Sequence, residues 1–354
     1  MNAPTGVSEP AATGARCSSC GESFVVGDRF CENCGTTLDT AVPADIDEAP
    51  SLNAEPASCA CGSGTADADG YCTNCGRLLP AVTDHIEFDL GQLGAAVCDR
   101  GLRHARNEDA ACLIARQGAV VAAVADGVST SDDAGKASAA AVRSAGAALA
   151  TAPAHMNDAI LLSAVGAAAA AVAAVTDPAT LEPDGSPRPG ASVPACTLVA
   201  ACLDATNVTV VSVGDSRAYW IPDEGPAEQL TMDDSWAAEA IAAGMEPDGA
   251  YADRRAHQIT AWLGLDSGPL TPYIVRRNLR PPGTVVLCSD GLWNYAPELD
   301  SMTTLVREHL SAARGAPLAA ARSLTEFARD CGGQDNITVI LIPLPDPTRT
   351  SGAV

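Results

Sequence analysis

Aspartates stand at the ends of four strand-like segments in this 354-residue sequence. Apolar runs lead into Asp126, Asp215 and Asp290, whereas Asp335 opens the last run. A single Asp-Gly after a strand most often forms a turn, but aspartates at strand ends can also converge at one edge of a sheet. We therefore treat the four as one candidate cluster, carried by the segments AVVAAVADGVST, NVTVVSVGDSRAYW, GTVVLCSDGLW and GGQDNITVILIPL.

Carboxylates gathered with few histidines favour hard, oxygen-seeking cations such as Mg2+ or Mn2+, because Zn2+ prefers nitrogen and sulfur ligands. The chain has only five histidines against 44 acidic residues. Several carboxylates around one site repel each other unless cations neutralise them. Two such ions a few ångströms apart can generate hydroxide near neutral pH and stabilise an in-line phosphoryl displacement. The cluster therefore predicts a site for hard divalent cations, which is compatible with phosphoryl displacement.

The stretch DRGLRHARNEDAACLI, residues 99–114, places both signs of charge side by side. Opposite charges packed this tightly form either a solvated surface turn or the lip of a site that handles both anions and cations. The basic members are Arg100, Arg103, His104 and Arg106, and the acidic members that follow them are Glu108 and Asp109.

Helical segments lie between the strand-like runs and must help to position these residues. They include AGKASAAAVRSAGAALATA, SWAAEAIAAG and MTTLVREHLSAARG, which contain strong helix formers or apolar residues at helical spacing. The alanine-rich run Ala159 to Val175 is expected to be a buried, closely packed core helix. It is too short and too weakly apolar to be a membrane span. Helix pairs alternating with groups of strands predict an α+β layered domain.

The ordered motifs RNEDA, VADGVST, VGDSRAY, LCSDGLW and GGQDNITV resemble those of the metal-dependent (PPM, type 2C) protein serine/threonine phosphatase family. The resemblance covers residues 88–344, and ACTLVAACL, LTMDDSW and ITAWLGL match the family's intermediate segments. It implies a central β-sandwich flanked by helix pairs, with two Mn2+ or Mg2+ ions, and a weaker third, at one end. A hydroxide bridging two ions would attack phosphorus directly, so no phosphoenzyme forms.

The resemblance also implies roles for individual residues of this sequence. Carried over by position, Asp126 would bridge two metals, with the Gly127 carbonyl in the coordination shell of one and Asp290 and Asp335 in that of the other. Glu108 and Asp109 would act largely through metal-bound waters, and Asp215 would help to hold the third metal. Asn336 would brace Asp335.

Two positions depart from the family pattern. His104 stands where the family usually has its phosphate-binding arginine, with Arg103 and Arg106 on either side. Val128 stands where some members have a histidine proposed as general acid. His104 is either a surface histidine in a turn or a protonated group that helps to bind phosphate. Because neither change touches a metal ligand, we expect retained catalysis with altered phosphate affinity.

Eight of the fourteen cysteines lie in two matched groups near the N-terminus. Two Cys-x-x-Cys knuckles joined by a short hairpin can place four thiolates around one Zn2+. Units this small have no core, so a structural zinc would supply their folding free energy. Redox catalysis is the alternative, but the surrounding βαβ pattern is missing. The first group is Cys17, Cys20, Cys31 and Cys34, and the second is Cys59, Cys61, Cys72 and Cys75, whose first knuckle is one residue shorter.

The net charge of −23 and the pI near 4.4 argue against a general nucleic-acid binder, which needs a basic face. Residues 1–87 carry three arginines against thirteen acidic residues, which favours zinc ribbons that contact proteins. No signal peptide is visible, so a cytoplasmic protein without membrane contact is expected. The predicted organisation is a disordered start (1–16), zinc ribbons at 17–38 and 59–80 around an acidic linker (39–58), the phosphatase-like domain (88–344) and a tail (345–354).

Three functions are compatible with these features. The first is a Mn2+- or Mg2+-dependent phosphatase for phosphoserine and phosphothreonine in proteins, acting on substrates of a serine/threonine kinase. The second is a catalytically weak phosphatase-like sensor or scaffold tethered through zinc ribbons. The third is a phosphatase dedicated to an anti-sigma-antagonist partner. The complete set of metal-binding carboxylates favours the first function over the second.

Overall fold

The computed structural model describes residues 15–16, 23–24, 59, 61–62, 71–77, 79–116, 118–153, 156–280 and 282–345. The predicted linker (39–58) and the tail beyond Pro345 lie outside the described residues, as does most of the predicted disordered start. Its last two residues, Ala15–Arg16, instead form a strand paired with Ser23–Phe24. The ligands of the first predicted ribbon also lie outside the described residues: Cys17, Cys20, Cys31 and Cys34.

Fifteen strands and seven α-helices make up the described regular structure, with three short 3-10 helices. The strands are β1 (Ala15–Arg16), β2 (Ser23–Phe24), β3 (His85–Asp89), β4 (Ala95–Asp99), β5 (Ala110–Arg116), β6 (Ala119–Ala125), β7 (Ala195–Cys196), β8 (Leu198–Leu203), β9 (Asn207–Val213), β10 (Arg217–Pro222), β11 (Glu228–Gln229), β12 (Leu263–Gly264), β13 (Tyr273–Asn278), β14 (Gly283–Cys288) and β15 (Ile337–Leu344). The helices are α1 (Ala134–Thr151), α2 (Asp158–Ala174), α3 (Trp236–Ala242), α4 (Pro247–Tyr251), α5 (Asp290–Trp293), α6 (Leu299–Ala312) and α7 (Pro317–Asp330). The 3-10 helices are Val82–Asp84, Gly91–Leu93 and Pro178–Thr180.

Two antiparallel sheets form the centre of the molecule. One has the order β11-β10-β14-β15-β4-β3, and the other has the order β13-β9-β8-β6-β5. Their inner faces share one apolar core that includes Val124, Val210 and Leu287. Alternate residues of the same strands, such as Val121 and Val286, face outward into separate helix-covered cores. Because both faces of these strands are covered, they read as continuous apolar runs in the sequence.

The outer face of each sheet is covered by a helix pair. Helices α1 and α2 cover the five-stranded sheet, and α6 and α7 cover the six-stranded sheet. This arrangement confirms the predicted α+β sandwich flanked by helix pairs.

Two expectations about the helices and the domain boundary change in detail. Helix α2 buries only one face, on residues that include Leu161 and Val165, while Leu162 is 47% exposed. It is therefore a half-covered surface helix, because a single neighbouring helix and one sheet cover only one of its sides. Strand β3 starts at His85, three residues before the predicted boundary at residue 88, and pairs along its whole length with β4. Among the described residues, no helix has the length and apolar character needed to cross a bilayer.

Candidate metal centre and the loop that borders it

The topology brings the acidic motifs to one end of the sandwich. Asp126 follows β6 directly, and Asp215 and Asp290 lie just beyond β9 and β14. Adjacent strands are antiparallel, so the ends of β6, β9 and β14 lie beside the beginnings of β5, β8 and β15. Glu108 and Asp109 precede β5, and Asp335 precedes β15. All six acidic residues therefore border the same end of the two sheets, as aspartates at strand ends predicted.

Asp109 is buried and its carboxylate is held on one side. Its Oδ2 accepts hydrogen bonds from the hydroxyls of Ser289 and Thr338, each at 2.7 Å. Its Oδ1 is buried and has no hydrogen-bond partner among the described residues. Burial, and then the negative charges of Asp290 and Asp335, raise the pKa of Asp109 to about 7. This carboxyl group therefore has one fixed oxygen and one unsatisfied oxygen.

Ionisation of the neighbouring carboxyl groups is also disfavoured. Burial and the mutual repulsion of the aspartates raise the pKa values of Asp126 and Asp215 well above their usual range. They raise the pKa of Asp290 to about 6. Asp290 Oδ1 is buried without a hydrogen-bond partner in the described part of the chain. Cations stabilise such a group of buried, mutually repelling carboxylates.

The chemistry of these donors fits hard divalent cations. Carboxylate oxygens are the ligands that Mg2+ and Mn2+ prefer, and the two unsatisfied oxygens of Asp109 and Asp290 provide acceptors. Within the described residues, the aspartate oxygens do not form a group in which all lie within 4.8 Å of each other.

Two glycines beside the aspartates allow very close backbone approaches. A Cβ on Gly127 would lie 2.7 Å from the Glu108 carbonyl oxygen and 2.9 Å from the Ala134 side chain. A Cβ on Gly291 would clash with the Asn336 carbonyl oxygen. The Asp-Gly pairs of the sequence are thus required by packing at this end of the sandwich rather than by positive φ angles.

Asn336 fixes the loop that carries the acidic pair. Its Oδ1 accepts a 2.7 Å hydrogen bond from the Glu108 amide, and its Nδ2 donates to the carbonyls of Arg100 and Arg106. Its backbone amide also donates to Asp335 Oδ1 at 2.8 Å. Sequence reasoning expected Asn336 to brace Asp335, but most of its side-chain contacts are with residues 100–108.

The basic residues of this loop point to different partners. His104 Nε2 lies 3.1 Å from Asp335 Oδ1, with 27% of its side chain exposed. Arg103 is exposed and makes no ion pair with any residue in the described ranges. Arg106 donates to the Leu79 carbonyl at 2.8 Å and lies 3.7 Å from Asp84 Oδ2. In this arrangement Arg106 contacts the segment before the domain, His104 lies beside Asp335, and Arg103 is exposed on the same loop.

A second buried network, of Arg217, Asp233 and Trp293, contacts the turns that carry Asp215 and Asp290. The guanidinium of Arg217 forms a bidentate pair with Asp233 and lies 3.7 Å from the centre of the Trp293 ring. The Trp293 indole donates to the Asp215 carbonyl at 3.0 Å. Trp293 ends the short helix α5 that begins with Asp290. Arg217 therefore links the turns that carry two of the candidate metal ligands.

Several residues of the site did not emerge from sequence reasoning. Single hydroxyl residues are common in any sequence and carry no local signature, so only the fold reveals that they contact residues of the acidic cluster. Arg217 had a visible signal, because an arginine follows Gly-Asp-Ser directly, and Trp293 ends LCSDGLW. The missed polar contacts are Ser289 and Thr338 to Asp109, Thr197 to the Asp126 amide, Ser138 to the Glu108 carbonyl, and Asn107 to the Asp109 amide.

Four cysteines gather in the second predicted ribbon. The Sγ atoms of Cys59 and Cys75 are 3.4 Å apart, and those of Cys61 and Cys72 are 3.7 Å apart. All four are free thiols, and their sulfur atoms lie within 4.8 Å of each other. The shorter Cys59-x-Cys61 spacing does not prevent convergence. The described chain therefore contains a set of sulfur donors suited to a thiophilic cation.

Comparisons with known proteins match this architecture. The family model described as Protein phosphatase 2C matches residues 100–328. The serine/threonine phosphatase stp of Listeria monocytogenes is 33% identical over 148 residues, which are 41% of this chain and 55% of that protein. The serine/threonine protein phosphatase PstP of Mycobacterium tuberculosis is 29% identical over 261 residues, which are 71% of this chain and 45% of that protein. The chain thus spans about half the length of the curated relatives it matches.

Solved structures agree over the whole sandwich. The crystal structure of the M. tuberculosis serine/threonine phosphatase PstP/Ppp superposes with a TM-score of 0.58 at 30% identity, covering 73% of this chain and 100% of that one. A structure of the PstP catalytic domain in complex with two manganese ions has a TM-score of 0.53 at 30% identity, covering 72% of this chain and 98% of that one. The family match extends over more than half of the sequence, and the chain belongs to the protein phosphatase 2C family.

Proposed function

We propose that this chain is a divalent-metal-dependent phosphatase that removes phosphate from phosphoserine and phosphothreonine in proteins. The observation that carries the proposal is the group of buried, mutually repelling aspartates at one end of the sandwich, centred on Asp126 and Asp290. Membership of the protein phosphatase 2C family supports it, as do similar proteins that are named serine/threonine phosphatases. The manganese ions in a PstP structure support Mn2+ as a cofactor.

The proposed ligands follow from the positions of the aspartates. Asp126, the Gly127 carbonyl, Asp290 and Asp335 would hold two Mn2+ or Mg2+ ions, Glu108 and Asp109 would act at their outer side, and Asp215 would help to hold a weaker third ion. When bound, such ions polarise the phosphate and activate water for an in-line attack without a phosphoenzyme.

Side chains around the proposed metal site orient its carboxylates and supply positive charge for the phosphate. Ser289 and Thr338 fix one oxygen of Asp109 and leave Oδ1 unsatisfied, so this carboxyl group can hold or release a proton at Oδ1 near neutral pH. His104 contacts Asp335, and Arg103 is exposed on the same loop. We assign to this pair the first contacts with a phosphate dianion, since His104 lies beside Asp335, Arg103 is exposed on the same loop and both carry hydrogen-bond donors.

A phosphopeptide panel tests the proposed substrate class. We expect phosphate release from phosphoserine and phosphothreonine peptides with Mn2+, and none when EDTA is present. Basic flanking residues should raise the rate, because the chain carries a net charge of −23 and repels acidic peptides. Mn2+ binding without phosphate release from any peptide would favour a sensor or scaffold. Release from one partner protein only would favour a dedicated phosphatase.

The cysteine groups complete the proposal. Cys59, Cys61, Cys72 and Cys75 would hold one structural Zn2+, and Cys17, Cys20, Cys31 and Cys34 would hold a second. Metal analysis should then find about two zinc ions per chain. The acidic ribbons would contact protein partners rather than nucleic acid or membrane, in a cytoplasmic protein.

A further inference from the structure

We infer that the site formed by Cys59, Cys61, Cys72 and Cys75 is regulatory: a thiophilic divalent cation such as Zn2+, bound there, holds the 100–109 loop in its working position. The site would thus control the phosphatase rather than only fold its own ribbon. The last step, from loop position to activity, rests on the proposed function, whereas the coupling between the two sites does not.

The sulfur geometry fits a bound cation. With Zn–S bonds of about 2.3 Å, the sulfur atoms of a regular tetrahedron lie roughly 3.8 Å apart. The observed pairs, Cys59 with Cys75 and Cys61 with Cys72, are 3.4 and 3.7 Å apart. These distances are close to the spacing that a tetrahedral Zn2+ site requires, so the conformation seen here is one that metal binding favours.

Leu79 connects this site to the following segment. Its side chain is buried against Cys59 and Cys72, and these three residues form a separate small apolar cluster. So small a cluster buries too little apolar surface to be stable alone. The position of Leu79 therefore depends on the conformation that the cation imposes on the cysteines.

The backbone of Leu79 in turn contacts the active-site loop. Its carbonyl accepts a 2.8 Å hydrogen bond from Arg106 Nη1, and the same guanidinium lies 3.7 Å from Asp84 Oδ2. Asp84 Oδ2 also accepts from the Ala81 amide, which fixes the turn between them. Arg106 is thus held by the segment that leaves the cysteine site.

Two more contacts extend this link to the acidic pair. The Thr83 carbonyl accepts a 3.0 Å hydrogen bond from Asn107 Nδ2, and Asn107 Oδ1 accepts from the Asp109 amide. The Asp84 carbonyl accepts from the Arg100 amide at 2.8 Å. Residues 79–84 therefore contact the loop at its beginning and at its end. If the cysteine site loses its cation, residues 79–84 are no longer held in place, and their contacts with the loop beside Glu108 and Asp109 weaken.

Hydrogen exchange on the full chain tests the coupling without requiring activity. The comparison is between the zinc-loaded wild type and Cys59→Ser/Cys75→Ser, in buffer free of Mn2+ and substrate, with exchange read in peptides covering residues 100–109. We expect the double variant to lose one zinc per chain and to exchange about fivefold faster there, as the loss of one or two hydrogen bonds predicts. It should also need several-fold more Mn2+ for half-maximal phosphatase activity.

Two further variants separate the link from general damage. Arg106→Gln should keep its zinc yet exchange faster in residues 100–109, because it breaks the contact with Leu79. Cys331→Ser changes an exposed cysteine outside the site and should match the wild type in zinc content and exchange. Unchanged exchange in residues 100–109 after loss of the zinc, or a wild type that binds no zinc at this site, would overturn the inference. An inactive wild type with faster exchange in the double variant would instead refute the proposed function alone.

Discussion

The side-chain oxygen of Asn336 accepts a 2.7 Å hydrogen bond from the backbone amide of Glu108, across 228 residues of sequence. This bond joins the first acidic motif of the domain to the last one. The side-chain nitrogen of Asn336, Nδ2, donates to the carbonyls of Arg100 and Arg106 in the same loop. The buried side chain of Asn336 is therefore one of the groups that fix the loop geometry beside the aspartates.

Replacing Asn336 by alanine should remove all three loop contacts at once. We expect Asn336→Ala to lower the free energy of unfolding by about 1–3 kcal/mol, because buried backbone groups lose their partners. Phosphatase activity should fall at least about tenfold, since loop position sets the placement of Glu108 and Asp109. Thermal unfolding and steady-state kinetics measure the two effects. Asn278→Ala, which removes an exposed asparagine pair with Asn207, is the matched control and should change neither by much.

The sequence predicted the convergence of the aspartates at one end of the sheets better than the elements around them. Strands buried on both faces read as apolar runs, and their terminal aspartates stood out because charge follows an apolar run abruptly. Helix α7 went unrecognised, although Leu324 and Ala328 have helical spacing, because charged and hydroxyl residues interrupt its apolar residues. The contact of Arg106 with Leu79 could not be predicted, since nothing local in the sequence says which way a loop arginine points.

Variants of Arg103 and His104 should distinguish effects on phosphate binding from effects on metal binding. Arg103→Ala is expected to raise KM several-fold at nearly unchanged kcat, the pattern of a lost binding contact. His104→Ala should also raise KM and, in addition, shift the Mn2+ requirement, because His104 contacts Asp335. Kinetics at varied substrate and Mn2+, with Arg106→Ala alongside, measure this. If none of the three variants raises KM, the basic cluster does not bind phosphate.

Arg217 is expected to act as a positioning residue through Trp293. Arg217→Lys keeps the charge but loses the bidentate contact with Asp233 and the flat stacking on the indole ring. We expect a weaker apparent affinity for Mn2+, by about tenfold as for lost supporting contacts of metal ligands, with little change in KM for substrate. Arg277→Lys, in the exposed pair with Glu228, should behave as the wild type. Equal loss of activity at all Mn2+ concentrations would argue for a general structural role instead.

The metal-free chain should lose stability as the pH rises. A carboxyl group whose pKa is raised on folding stabilises the folded state while protonated. That contribution is complete below the unfolded pKa of about 4. It is lost as the pH passes the folded values of about 6 for Asp290 and about 7 for Asp109.

Thermal unfolding at pH 5 and pH 8 measures this effect. With EDTA, we expect a lower Tm at pH 8 than at pH 5, and Mn2+ should raise the Tm more at pH 8 because it neutralises the ionised carboxylates. Asp109→Asn should reduce the pH dependence in EDTA. An EDTA-treated chain that is more stable at pH 8 would contradict the assignment of strained carboxylates to this cluster.

The most direct measurement is hydrolysis of p-nitrophenyl phosphate by the full chain, with Mn2+ and with EDTA, for the wild type and for Asp126→Asn. Asp126 lies at the centre of the aspartate cluster, and asparagine keeps its size while removing its charge. We predict Mn2+-dependent hydrolysis that EDTA abolishes and that Asp126→Asn reduces by at least about a hundredfold. No hydrolysis with Mn2+, or hydrolysis unchanged by Asp126→Asn, would contradict the account.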